Sequence, residues 1–288
     1  MLVDFHVHST ASDGTWSAEE IVRSAAGFSA VALTDHDNTD GVPEFLSANA
    51  GEELKRVCGI ELSIESGEGF DRFHLLGLGI DHENEDLKKF LNRIVEGRNG
   101  RNEKMLENFG RIGINIPPEE LASYVKGDVL ARPHFARWLV DNAYAGSISE
   151  AFSKYLLSDS PEATRCYEDR WHPSQEEAFN VIHRSGGLAV MAHPKYWRND
   201  WKRGVCDYEV AEKELARLKE MGLDGIESLY QANTVEENIA FTRLADKLKL
   251  MKTAGSDFHG SNKANITLGM EVQESFIAPF LEAVNLVK

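Results

Sequence analysis

Histidines and carboxylates recur in this sequence just after short apolar runs: His6, His8 and Asp13, then His36, Glu61, His74 and His193, and finally Asp257 and His259. Imidazole together with carboxylate suits Zn²⁺, Mn²⁺ or Fe²⁺. Six histidines and three carboxylates supply about three such ions with three or four protein ligands each, provided one carboxylate bridges. Two ions roughly 3.5–4 Å apart can clamp a hydroxide between them and stabilise the attacking and leaving oxygens of an in-line phosphoryl displacement. The chemistry expected of the set is therefore hydrolysis of a phosphate ester. No single motif carries this expectation. A lone strand-end histidine is ordinarily hydrogen-bonded to its surroundings, and His82, His172 and His183 are read that way. Asp35 and Asp37 flank His36 as turn formers that bond their own backbone, and both stay outside the ligand set.

The elements that must position these groups follow from periodicity. Val3, Phe5 and Val7 alternate with Asp4, His6 and His8, which predicts a strand over 2–8 with both histidines on one face. Ser17 followed by Glu20 is a capping box that opens a helix over 17–27. Strands are predicted over 30–34, 56–62, 73–80, 188–192, 225–229 and 251–254, and helices over 43–50, 174–185, 208–221 and 234–248. Strands alternating with helices predict a parallel sheet, and in such sheets functional residues sit at the carboxyl ends of strands. The candidate ligands fall at or near those ends. Between 81 and 160 the rhythm changes to helices only, including one over 85–109, the pair Pro117-Pro118, and segments around His134 and Glu150. This stretch is read as an inserted helical subdomain.

Composition bounds the partners. The chain has 288 residues and a formal charge of −16, which repels polyanions at long range and excludes duplex DNA held by a broad basic surface. Bound divalent cations would reverse the potential inside a pocket, so an acidic protein can still take a phosphate. No run reaches the roughly 18 apolar residues of a spanning helix, and the first residues lack the basic and apolar regions of a signal peptide. The expected location is the cytoplasm, without membrane contact. Cys58, Cys166 and Cys206 form no C-x-x-C pair and are read as buried thiols.

The segments Asp4-Phe-His-Val-His8, Leu33-Thr-Asp-His-Asp37, Gly59-Ile-Glu61, Phe73-His-Leu-Leu-Gly77, Arg132-Pro-His134, Ala192-His-Pro194 and Gly255-Ser-Asp-Phe-His-Gly260 resemble the ordered motifs of the PHP (polymerase and histidinol phosphatase) metal-dependent phosphoesterases. The likeness is greatest to the branch that includes 3′,5′-nucleoside bisphosphate phosphatases and 5′-to-3′ exoribonucleases. It implies an α/β fold, a distorted (β/α)7 barrel of the PHP type made of 1–80 and 161–288, with 81–160 as the inserted helical subdomain. It also implies a three-metal centre. One ion would take His6, His8, Glu61 and Asp257; Glu61 would bridge to a second held by His74 and His193; Asp13, His36 and His259 would hold the third. Arg98, Arg101, Asn102 and His134 would contact substrate phosphate. Gly97 and Gly100 lower the helix propensity of that stretch, so the fit is looser there. Lys195 and Trp197 are candidates for the pocket rim, and Tyr167, Trp171 and Tyr230 for stacking on a base.

The function expected is hydrolysis of a phosphomonoester of a small nucleotide, such as a 3′,5′-bisphosphate, by a metal-bridging hydroxide, with His36 or a water on its metal protonating the leaving oxygen. The cofactors would be divalent Mn, Fe or Zn. The alternatives are a 5′-to-3′ exonuclease acting on short single-stranded RNA or DNA, a histidinol-phosphate-type phosphatase, and, from another class, a noncatalytic metal-binding interaction module.

Overall fold

A computed structural model describes residues 1–50, 53–65, 73–124, 130–196 and 207–287. In chain order the elements are β1 (Leu2–Asp4), α1 (Ala18–Ser24), β2 (Ala30–Leu33), α2 (Val42–Ser47), β3 (Lys55–Ile64), β4 (Phe73–Leu78), α3 (Glu85–Arg111), α4 (Pro118–Ala122), α5 (Arg132–Asp141) and α6 (Ile148–Ala151). They continue with α7 (Gln175–Arg184), β5 (Leu188–Met191), α8 (Tyr208–Met221), β6 (Gly225–Tyr230), α9 (Val235–Leu248), β7 (Met251–Gly255), β8 (Met270–Glu271) and α10 (Glu274–Ala283). Capping boxes at Ser17/Glu20, Ser174/Glu177 and Thr234/Glu237 start α1, α7 and α9, each satisfying amides that the first helical turn leaves unpaired.

The strands form one sheet in the order β7-β6-β5-β4-β3-β2-β1-β8. Pairs β1–β2, β2–β3, β5–β6 and β6–β7 are parallel, as the alternation of strands and helices predicts. The expectation of a parallel sheet needs correction at β4, which runs antiparallel to both β3 and β5. Only residues 65–72 join β3 to β4, whereas a parallel crossover takes a dozen or more residues and usually a helix. The short β8 is antiparallel to β1.

The predicted strand over 2–8 is assigned only to Asp4 because its partner changes beyond that point. Phe5 N donates to Ala254 O (3.0 Å), Asp257 N to His6 O (2.8 Å) and His8 N to Phe258 O (2.9 Å). These bonds tie the continuation of β1 to the end of β7 and close the sheet into a barrel. The seam carries His6, His8, Asp257 and His259. Earlier along the same strands, Val3, Phe5, Ala30, Ala32, Val57, Leu76, Val190 and Ala254 form a buried core with Ile277 and Phe280 of α10. The rings of Phe5 and Phe280 meet edge to face at 4.8 Å. No element was expected beyond 254; Pro279 inside α10 removes a backbone donor and masks the helical pattern.

The described chain divides into a first unit, Met1–Leu91 with Pro173–Lys288, and a second, Asn92–His172. The first unit is the barrel. The second has its own core, with Met105 and Phe109 of α3, Phe135 and Trp138 of α5, and Tyr155, Leu156 and Cys166. The bounds fall later than 81 and 160. Leu87, in the first turn of α3, is buried with the first unit, and the segment after 160 returns to the second core, where Cys166 N donates to Tyr155 O (2.8 Å). Burial pushes the Cys58 and Cys166 thiols up to about 11 and about 12, as expected of inert buried cysteines; Cys206 lies outside the described residues. Among the described residues no helix is long and apolar enough to cross a membrane.

Candidate metal centre

All nine candidate ligands belong to the barrel unit. His6 and His8 follow β1, Asp13 lies in the next loop, and His36 follows β2. Glu61 projects from β3, His74 from β4, His193 follows β5, and Asp257 and His259 follow β7. Three strand ends turn sharply: Asp37, His193 and Asp257 have φ of 55°, 27° and 60°. Non-glycine residues held in that region cost roughly 1–3 kcal/mol each and cluster where function needs a side chain re-aimed.

Glu61, fully buried, is the hub. Its Oε2 lies 3.3 Å from His6 Nε2, 3.1 Å from His8 Nε2 and 2.9 Å from His36 Nδ1. Its Oε1 lies 2.8 Å from His74 Nδ1 and 3.0 Å from His193 Nε2. Asp257 Oδ1 faces His6 Nε2 (3.6 Å), His8 Nε2 (3.4 Å) and His259 Nδ1 (3.3 Å). Asp13 Oδ1 faces His259 Nε2 (3.2 Å), His36 Nε2 (3.9 Å) and His8 Nδ1 (3.9 Å). Among the described residues four groups have ligand atoms all within 4.8 Å of one another: His8 with Asp13, His36 and His259; His6 with Glu61 and His193; His6 with His8 and Asp257; and His36 with Glu61 and His74. The structure thus brings together every residue of the expected ligand set, and places His8 beside the group expected around Asp13 as well.

This arrangement fits divalent cations. Glu61 Oε2 and His36 Nδ1 are buried, lie 2.9 Å apart and make no aligned hydrogen bond among the described residues, so both present ligand atoms that a cation would satisfy. The field favours positive charge. Burial lowers the His6 imidazole, yet Glu61, Glu227 and Asp257 outweigh it and raise the ring well above its ordinary value. His36 is likewise raised to about 9, burial opposing and Glu61 and Asp13 prevailing. Burial would raise Glu61 and Asp257, but the surrounding imidazoles hold both well below the carboxylate range. Divalent metal should accordingly be found by elemental analysis of purified protein. Adding it back after chelation should raise Tm, by the equivalent of about 2.7 kcal/mol at a hundredfold excess over Kd. A folded protein that takes up no Mn, Fe or Zn would remove the centre.

In the second unit Arg101 is buried, and its Nε donates to Asn102 Oδ1 (2.9 Å) while Asn102 Nδ2 donates to Leu130 O (2.9 Å). Burial, then the nearby guanidiniums of Arg132, Arg98 and Arg170, lower Arg101 to about 9. The structure therefore groups Arg98 and Arg101 with Arg132 and Arg170, two arginines outside the expected contact set. His134 Nδ1 accepts from Ala131 N (2.9 Å), which leaves Nε2–H as the ring's outward donor; burial lowers this imidazole and keeps it neutral. α3 runs unbroken through Gly97 and Gly100. A Cβ at Gly97 would sit 3.2 Å from Trp171 Cβ, so the glycine admits the close approach of Trp171, whose ring Arg93 covers at 4.4 Å.

The expected rim and stacking residues are placed differently. Tyr230 is buried, and its hydroxyl donates to Asp257 Oδ2 (3.0 Å), which also accepts from Lys263. Lys195 donates to Ala232 O (2.6 Å) and Glu237 Oε2 (3.2 Å). Arg132 lies over the Tyr167 ring at 5.4 Å. Trp197 lies outside the described residues. Asp35 accepts from Ser9 N, Ser9 Oγ and Ser12 Oγ, and Asp37 from Ser63 N and Oγ, so both clasp strand-end loops. Two buried carboxylates at the centre were missed. Asp4 accepts from Ser256 N and Oγ, Gly269 N and His6 N, burial raising it to about 6. Glu227, in the middle of β6, meets His6 and His193. The available signal was a charged residue inside an otherwise apolar strand, Gly225-Ile-Glu-Ser-Leu-Tyr230.

A family model described as the PHP domain matches residues 4–221. The chain is 31% identical over 277 residues to a 3′,5′-nucleoside bisphosphate phosphatase of Chromobacterium violaceum, covering 93% of this chain and 90% of that protein. It is 32% identical over 274 residues to the 5′-3′ exoribonuclease Rnm of Escherichia coli, covering 90% and 85%. Among solved structures, an amidohydrolase of Chromobacterium violaceum with bound sulfate superposes with a TM-score of 0.80 at 28% identity, covering 99% and 97% of the two chains. A protein of Bifidobacterium adolescentis provisionally assigned as a metal-dependent phosphoesterase gives 0.75 at 26% identity, covering 98% and 96%.

Proposed function

This chain belongs to the PHP family of metal-dependent phosphoesterases, and on that premise we propose that it hydrolyses one phosphomonoester of a small nucleotide of the 3′,5′-bisphosphate type. The observation that carries the proposal is the division of Glu61, whose two oxygens face separate sets of imidazoles, as a carboxylate shared between two cations must. His6, His8, Glu61 and Asp257 would hold one ion, Glu61, His74 and His193 a second, and Asp13, His36 and His259 a third, as Mn, Fe or Zn. Bound there, such ions supply Lewis acidity toward a phosphoryl oxygen and lower the pKa of water.

The chain's own groups do the rest. Eight of the nine ligands lie on barrel strands or within four residues after them, Asp13 alone lying farther along its loop, so the centre is rigid before substrate arrives. The proton for the leaving oxygen would come from the His36 side of the centre, from His36 itself or from a water beside it where the ring serves as a ligand: the ring lies between Glu61 and Asp13, and its side chain, 23% exposed, opens to solvent. As the family resemblance implies, Arg98, Arg101, Asn102 and His134 of the second unit would contact a substrate phosphate, with guanidinium forks and the His134 Nε2–H as donors. The 31% identical phosphatase supports the bisphosphate substrate, and the 32% identical exoribonuclease supports short single-stranded RNA as the second reading. The formal charge of −16 favours the small substrate, because a long polyanion is repelled by the surface beyond the pocket.

Metal-loaded protein offered a nucleotide 3′,5′-bisphosphate, the matching monophosphates, histidinol phosphate and short single-stranded RNA should show its highest kcat/KM with the bisphosphate. A higher value with RNA would replace this function by the exonuclease.

A further inference from the structure

Glu227 is fully buried on β6 and is not among the residues that would touch a cation. Its Oε1 lies 3.0 Å from His6 Nδ1, and its Oε2 accepts a hydrogen bond of 2.7 Å from the backbone N–H of His193. We propose that Glu227 is a positioning residue that sets two ligands of the metal centre at once, the His6 ring and the His193 backbone; this rests on the metal-centre reading above.

Three independent features support it. An ionised carboxylate only accepts, so the 3.0 Å contact requires the proton on His6 Nδ1. In the neutral ring that binding a cation requires, the Nε2 lone pair then faces Glu61, His8 and Asp257. The second bond falls on a residue with a left-handed backbone, φ 27°, and without an acceptor there the His193 turn would relax toward ordinary φ and carry Nε2 away from Glu61 Oε1, now 3.0 Å distant. Finally, the surrounding strands are shaped around this carboxylate. The register of β6 against β7 slips between Glu227 and Leu229, and such a bulge re-aims the side chains beside it. On the neighbouring strand β7, Gly255 has no side chain: a Cβ there would lie 2.2 Å from Glu227 Oε1 and 2.5 Å from His6 Cβ. The glycine makes room for the contact between Glu227 and His6.

A carboxylate behind a metal-ligating imidazole fixes the ring's tautomer and orientation, and its loss typically costs 10- to 100-fold in metal affinity. Glutamine is isosteric but supplies one acceptor and one donor where two acceptors are needed. Glu227→Gln should therefore lower the affinity for divalent Mn or Zn, measured by calorimetric titration of the chelated protein, by on the order of 10- to 100-fold. Fewer ions per chain should survive dialysis. Gly255→Ala keeps Glu227 but displaces its carboxylate from His6, and should shift metal affinity in the same direction. Asp224→Asn is the control. Asp224 also bonds a backbone amide and an imidazole, Ala189 N (2.8 Å) and His183 Nε2 (2.8 Å), away from the ligands, and its loss should lower Tm without moving metal affinity. If Glu227→Gln lowers Tm but binds metal as tightly and in the same number as wild type, the residue is merely structural and the proposal falls. Should Glu227→Gln fail to fold, unchanged affinity in Gly255→Ala would overturn it equally. Wild type that binds no metal overturns it together with the function on which it rests.

Discussion

Glu61→Gln should lower kcat by on the order of 10³-fold or more, and metal content should fall with it. The carboxylate is fully buried and reaches five imidazoles, three through Oε2 and two through Oε1. The amide keeps the volume but loses the charge, and its NH₂ would point a donor at a site built to hold cations. Asp13→Asn should cost less. The Asp13 side chain is 56% exposed and its nearest imidazole nitrogens are 3.2–3.9 Å away on one side only, so water can replace part of what it offers. Steady-state rates with elemental analysis of both variants separate the cases. Equal and small losses, with metal retained in both, would mean that Glu61 is not the shared ligand.

The second large effect concerns specificity. If the arginine group receives the uncleaved phosphate, a 3′,5′-bisphosphate should be turned over with a much higher kcat/KM than the matching monophosphate, and Arg101→Ala should erase most of that advantage. A charge-assisted fork on phosphate is worth roughly 1.5–3 kcal/mol, so the bisphosphate should lose on the order of 10- to 100-fold while the monophosphate changes little. Although burial and neighbouring guanidiniums lower Arg101 to about 9, it remains charged at neutral pH. The same repulsion from Arg98, Arg132 and Arg170 is relieved when an anion arrives. The measurement is a two-by-two comparison of substrate and variant. Equal slowing of both substrates would assign Arg101 to the scissile phosphate or to the fold of its unit.

How much of this was legible in the sequence depends on the range of the interaction involved. The ligand types and their places at strand ends follow from local periodicity: Val3, Phe5 and Val7 alternate with the histidines, and short apolar runs precede His36, His193 and Asp257. The capping boxes at Ser17, Ser174 and Thr234 are likewise local, closing within three residues. Residue order through the motifs also carried the family resemblance, hence the barrel and the hydrolytic chemistry. Other features lie beyond any local pattern. The direction of β4 came from a connection too short for a crossover, and α10 from the need to cover Phe5 and its neighbours, with Phe280 lying 275 positions from Phe5 in the chain. The role of Glu227 could not be read from a strand in which it is merely one charged residue, because its partners are 221 and 34 positions away. The division of Glu61 between two sets of imidazoles is of the same kind. Local sequence determines which atoms can bind or donate, through residue type and backbone period. Which of them share one small volume is decided only when the barrel closes, since burial and distance, the quantities that set their charge and partners, do not exist before then.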